Sequence, residues 1–208
     1  MPTGTPTVEL VPRLREAAHQ VLLRDGAAAL TSRAVTTEAG LAKGILHRHF
    51  ADFDTFLATL VLAQIDRIED LAAALRANAG GATVAENLAD ALDAMLDPVT
   101  VALIVLVCSR KPLRHKLKLT TLIGTPLLAQ ATTQIGAYLT AERGLGRIPI
   151  DTDVDQLAIT LVGSAHLVRL DAHASTPADF QHLLNHLLAL QSDPSSTRPG
   201  PSRLGDVV

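Results

Sequence analysis

Apolar residues recur at three- and four-residue spacing through most of the chain, and no alternating apolar–polar run of useful length interrupts them. That periodicity predicts helices throughout, hence an all-α fold. Leu14, Ala17, Ala18, Val21 and Leu22 share one face of a first helix, from about Glu9 or Pro12 to Arg24, which Asp25-Gly26 stops. Thr31 is a fitting N-cap for a second helix. That helix breaks at Ala39-Gly40-Leu41, where glycine adopts the positive φ of a tight turn without steric cost. A third short helix is expected from Ala42 to about His49, with Leu46 and Phe50 inward because they lie four residues apart.

Asp52 then caps a long helix whose stripe of Phe56, Leu57, Leu60, Ile65, Ile68, Leu71 and Leu75 ends before Gly80-Gly81. Thr83-Val84-Ala85-Glu86 is a capping box, in which threonine and glutamate satisfy each other's stray amides; it opens a helix through Leu88, Ala91, Leu92 and Met95. Asp97-Pro98 starts a helix that is apolar on nearly every side and therefore expected to be central and buried. Pro112 begins the next, interrupted around Gly124-Thr125-Pro126 and resumed to about Arg143, where Gly144 and Gly146 close it. An eighth is expected from Thr152 to about Ala172 and a ninth from Thr176 to near Gln191. The pattern divides the chain into a helix-turn-helix unit over 8–52 and a larger helical body over 53–191. The Pro/Ser/Gly-rich stretches 1–7 and 192–208 have nothing to bury and are expected to be disordered.

Composition narrows this picture. Of the 208 residues 48% are apolar but only 2% aromatic, so any core or pocket is aliphatic. A formal net charge of −3 excludes a globally basic DNA-coating protein, yet leaves room for a sequence-specific binder whose positive charge is local. The lone Cys108 excludes an internal disulfide, fits a reducing compartment, and is expected to be a small buried core residue. No secretory pattern opens the chain, and its longest apolar run, Val99 to Cys108, is far shorter than the ~20 residues of a membrane span. A cytoplasmic protein without a membrane partner is the expectation.

The third helix carries basic and hydrogen-bonding tips that suit a DNA major groove. Thr31, Arg33, Lys43 and Arg48 are candidates for phosphate and groove contacts, as are His47 and His49. Gly44 is a candidate DNA-binding position with them, and Leu41 and Ile45 are candidates to meet thymine methyls. The bland alternative is a solvated helix face. Arg110, Lys111, Arg114, Lys116 and Lys118 form the most basic run; such a run is usually solvated, the alternative being a position beside the DNA-binding half. His182 and His186 lie four apart, but flanking a buried stripe explains them better than a metal does. No cofactor or metal is expected. His166 and Arg169, one turn apart in an apolar setting, are candidates for effector recognition or for an interface. Asn87, Cys108, Gln134 and Tyr138 are further polar points for an effector in an aliphatic cavity. No nucleophile elbow, phosphate-cradling loop or HExxH motif points to an enzyme.

From Arg13 to Leu57 the residues resemble the TetR family of one-component transcription regulators. Leu14, Ala17, Ala18 and Gly26 match its first helix, and Leu30-Thr31, Arg33, Val35, Glu38-Ala39-Gly40-Leu41, Lys43-Gly44, Leu46, His49-Phe50 and Phe56-Leu57 follow its DNA-binding pattern in register. The resemblance implies a ligand-responsive regulator, most often a repressor, that binds a palindromic DNA operator and is released by a small-molecule effector. It also implies a homodimer formed through the last two helices, about 152–191. Three positions depart from the pattern. Ala42 stands where a serine or threonine usually caps the recognition helix, His47 replaces a tyrosine, and Phe53 replaces a lysine that meets the DNA backbone. The first sixty residues are not net positive: Arg13, Arg15, Arg24, Arg33, Lys43 and Arg48 face as many acids. These departures motivate the alternative of a small-molecule-binding protein of the same fold with weakened or lost operator recognition.

Overall fold

The computed structural model describes residues 7–118 and 126–170, and among them every regular element is helical. In chain order these are α1 (Thr7–Asp25), a single 3-10 turn (Ala27–Ala29), α2 (Ser32–Glu38), α3 (Ile45–His49), α4 (Phe53–Ala77), α5 (Val84–Met95), α6 (Pro98–Ser109), α7 (Lys111–Lys116), α8 (Pro126–Gly144) and α9 (Val154–Leu170). The expected ninth helix, with His182 and His186, and the tail 192–208 lie outside the described residues.

The local start signals act as read. Thr31 Oγ1 accepts from the Ala34 amide at 3.1 Å and Asp52 Oδ1 from the Thr55 amide at 2.7 Å. The Thr83–Glu86 capping box is complete, with both reciprocal bonds made. Asp97 Oδ1 receives the Thr100 amide at 2.8 Å, ahead of Pro98 in the first turn of α6. Each satisfies an amide that the helix itself leaves unpaired.

A single apolar core runs from Leu10 to Ala165, with α4 at its centre, packed against α5, α7 and α8. Phe56, Leu57, Val61 and Ile68 of α4 are buried completely, as are Leu127, Ile135 and Leu139 of α8. One polar seam crosses this core. Gln64 donates to Thr100 Oγ1 at 2.7 Å and reaches Asp97 Oδ1 at 3.5 Å, and Thr100 donates onward to Asp97 at 2.8 Å, so the buried amide is tied to the Asp97 carboxylate.

Four expectations are corrected. Helix α1 begins at Thr7, two residues before Glu9 and five before Pro12, so Thr7 belongs to structure; residues 1–6 lie outside the described ones. Pro12 is carried inside α1 near its start, where one missing amide is tolerated. The helix opened at Pro112 is only the short α7, ending at Lys116; Lys118 takes a left-handed φ of 55°, which breaks the helical path well before Gly124. Helix α6 is not enclosed all round, because Val105 and Cys108, three residues apart, share a solvent-facing edge. Cys108 is therefore exposed, and not a small core residue.

Candidate nucleic-acid interface

The turn between α2 and α3 is a complete helix C-terminal motif. Gly40, at φ +62°, sends its amide to Thr37 O at 3.0 Å, and Leu41 sends its amide to Thr36 O at 2.9 Å. This paired pattern satisfies the last free carbonyls of α2 and reverses the chain. A Cβ at position 40 would meet only the movable end of the exposed Arg13 side chain, at 3.3 Å, so it is the positive backbone angle that calls for glycine. Leu41 is half-buried against the core, which fixes the exit direction.

Helix α3 is shorter than the sequence suggests. It begins at Ile45, whose amide bonds to Ala42 O at 3.0 Å in a tight turn, and Gly44 at its N-cap makes no side-chain bond. Neither Ala42 nor Gly44 offers an oxygen to cap a longer helix, so Ala42, Lys43 and Gly44 form an exposed turn before it. Leu46 is buried, and Phe50 sets its ring edge-on to Phe56 at 5.1 Å. Phe53 stacks on Phe56 at 5.8 Å. These three aromatic rings pin α3 to the start of α4.

With Leu46 facing inward, His47, Arg48 and His49 stand in solvent, as do Lys43, Arg33 and Thr31. Among the described residues Lys43, Arg48 and Arg33 enter no ion pair, so their charge is free for an anion. Thr31 uses one lone pair as the α2 cap, which leaves its hydroxyl proton to donate. Ile45, like Leu41, is half-buried against the core and offers only part of its surface outward. The exposed groups thus lie on α3, the turn before it, and the start of α2.

The basic run lies against this unit, which sequence alone left open. Lys116 Nζ is 2.8 Å from Asp52 Oδ2, in the link between α3 and α4. Arg110 pairs with Asp54 in the first turn of α4, with its NH2 3.2 Å from Oδ2, and its guanidinium lies 5.6 Å above the Phe53 ring. The Lys116 ammonium, with Thr55, holds the Asp52 carboxyl down to about 2. No sequence signal pairs residues 56 to 64 positions apart.

The effector candidates do not form one cluster of contacts. Asn87 donates to the Tyr138 hydroxyl at 2.9 Å, and Tyr138 is completely buried; burial first, and the nearby Glu142 carboxylate second, push the phenol up to about 12. Gln134 accepts from Arg76, and Arg169 pairs with Asp93. Cys108 sits in solvent on α6. His166 is half-buried, its Nδ1 is enclosed without a hydrogen-bond partner, and desolvation lowers its pKa. A cluster that sequence reading missed centres on Glu142, which is fully buried and accepts from the Gly80 amide at 3.2 Å. Arg147 NH1 lies 3.2 Å from its Oε2. Among the described residues no group of His, Cys, Asp and Glu gathers to hold a metal ion, and no single helix is long and apolar enough to cross a membrane.

Residues 14–57 match the family model described as bacterial regulatory proteins, tetR family. No curated protein matches the sequence. The chain is similar in structure to a transcriptional regulator from Rhodococcus sp. Rha1, with TM-score 0.65, 20% identity, and 87% of this chain and 95% of that one covered. It is also similar to the fatty acid degradation regulator FadR from Bacillus halodurans, with TM-score 0.62, 18% identity, and coverage of 89% and 96%. A third, a member of the TetR family from Streptomyces coelicolor A3, gives TM-score 0.60 at 22% identity, covering 85% and 96%. At such identities the likeness is one of fold, and it spans both the small N-terminal unit and the helical body.

Proposed function

We propose, from the match of residues 14–57 to the model of the tetR family of bacterial regulatory proteins and from the fold, a transcription regulator that binds a palindromic operator as a homodimer and leaves it when a small, mostly apolar effector binds. The observation that carries this reading is the α2–α3 pair: a glycine-turned unit whose second helix buries Leu46 and turns His47, Arg48 and His49 to solvent beside the unpaired Lys43. Arg48 and Lys43 suit guanine edges or phosphates, and His47 and His49 suit phosphate. Arg33 and Thr31, at the start of α2, are positioned for backbone contacts, and Gly44, Leu41 and Ile45 for close approach and thymine methyls.

The homodimer reading draws on α9. Ile159, Leu167 and Leu170 are at least half exposed, and among the described residues nothing lies within 4 Å of a Cβ placed on Gly163 between them. An apolar edge with a small residue at its middle suits close packing against a copy of itself. For the effector, His166 is the strongest of the candidate residues, because its enclosed Nδ1 has an unused hydrogen-bonding capacity. Asn87, Tyr138, Gln134 and Arg169 would have to exchange existing partners to meet a ligand. The effector acts only through different affinities for the DNA-competent and DNA-incompetent arrangements.

A mobility shift on duplex DNA from the region upstream of the protein's own coding sequence tests this. Salt-sensitive, sequence-selective retention is the expected result; its absence on every DNA tried overturns the reading. A second reading, a ligand-binding protein of this fold without operator recognition, is favoured by the five-residue, uncapped α3 and by Phe53 packing inward where a cation would meet phosphate. Under it, the Lys43→Ala/Arg48→Ala variant would keep the protein's full activity in cells.

A further inference from the structure

The first sixty residues, which hold the helix-turn-helix unit and the start of α4, carry as many acids as bases, whereas DNA affinity and its salt dependence grow with the number of phosphates neutralised. Part of that acid is cancelled from elsewhere. Arg110 covers Asp54, and Lys116 covers Asp52, both across the seam where α3 hands over to α4. Around these two, α7 and the turn after it carry Lys111, His115 and Lys118, all solvent-exposed. Lys118 enters no ion pair among the described residues, and its amide donates to His115 O at 3.0 Å, which closes a turn at the end of α7, two residues after Lys116. Lys116 is itself 41% exposed at the side chain, so it faces solvent while touching Asp52.

The position of this cluster matters. Asp52 lies three residues after His49, and Phe53, next to it, has no charge to offer. A surface that meets DNA through α3 therefore runs, at its α4 side, into cations supplied by α7. We propose that Lys116 and Lys118 contact the phosphate backbone of duplex DNA beyond the bases met by α3, so that the helical body contributes directly to the DNA-binding surface. This inference rests on the proposed function and extends it. The Lys116–Asp52 pair is solvated and exchangeable: a phosphate replaces the carboxylate as the ammonium's partner while Asp52 keeps its bonds to the Thr55 amide and hydroxyl. The same geometry makes Asp52 a brake on binding, since its charge opposes the phosphate that Lys116 holds.

The test is a salt titration of binding to a short duplex of random sequence, comparing the wild-type protein with Lys116→Gln/Lys118→Gln and with Asp52→Asn. Both substituted lysines are exposed, and asparagine caps a helix as well as aspartate does, so folded protein is expected in each case and is checked by helical circular dichroism. Loss of two phosphate contacts lowers the magnitude of the log K against log salt slope by about 1.8. A merely structural role would leave that slope unchanged. Asp52→Asn is expected to tighten binding at fixed salt. If the wild type binds with a steep slope and the double lysine variant keeps the same slope, the phosphate contact is refuted while the regulator reading stands. If the wild type shows no salt-dependent binding at all, both fall.

Discussion

The two ends of α4 are tied to the rest of the molecule by opposite means. At its start, Asp52 and Asp54 meet Lys116 and Arg110 in water, with side chains between 17% and 48% exposed. At its end, the Gly80 amide reaches the completely buried Glu142, which also meets Arg147, and Asn87 donates to the buried Tyr138 nearby. Solvated pairs are worth little individually and trade partners readily, whereas a buried carboxylate must keep its partners or destabilise the fold. The end beside α3 is thus free to exchange a carboxylate for a phosphate. The far end anchors the helix on which such an exchange is read.

Substitutions can break that contrast. Arg147→Ala strips the buried Glu142 carboxylate of its cation and should cost about 3 kcal/mol of stability, measured by denaturant unfolding. A cost near zero would mean that the far end is solvated too. Tyr138→Phe removes the hydroxyl that accepts from Asn87 and should cost about 1–2 kcal/mol by the same measurement, without altering DNA binding. At the near end, Asp52→Ala loses the α4 cap and is expected to lower Tm by only a few degrees. Because Lys116 and Thr55 depress the Asp52 pKa to about 2 in the folded chain, below an ordinary value of 3.8, its contribution is present above about pH 4 and disappears as pH falls to about 2. The Tm difference between wild type and Asp52→Ala should therefore shrink over that window.

The smallest effect concerns His19 on α1, whose buried Nε2 lacks a partner and whose pKa is lowered, mainly by desolvation. The unfolded chain binds the proton more readily, so stability is lost as pH falls through 6.5 and regained above it. His19→Leu should flatten this part of the Tm–pH curve.

What the sequence made legible was whatever a few adjacent residues decide. Thr31, Gly40, Asp52, Thr83 with Glu86, and Asp97 each satisfy backbone groups within four residues, and each sits where its helix starts or stops. The buried stripes followed for the same reason, since spacing alone puts Phe56, Leu57, Leu60 and Ile68 on one side. Exposure of Cys108 was illegible because α6 is apolar all round, and only the placement of its neighbours selects the face left outside. The shortened α3 reflects two positions without capping oxygens, Ala42 and Gly44; the missing cap was visible, its effect on helix length was not. Within the candidate interface, the exposed cations were legible. The ties from Arg110 and Lys116, 56 and 64 positions along the chain from their partners, were not.

The central claim is that the exposed side of α3 reads base edges. Selection of bound duplexes from a random pool, run in parallel with wild-type protein and Arg48→Ala, tests it most directly. The account predicts enrichment of a two-fold symmetric sequence whose half-sites are spaced about 34–36 Å or a multiple apart, with the preference relaxed in the variant. A pool that emerges without any preferred sequence, or the same preference with Arg48 removed, would contradict it.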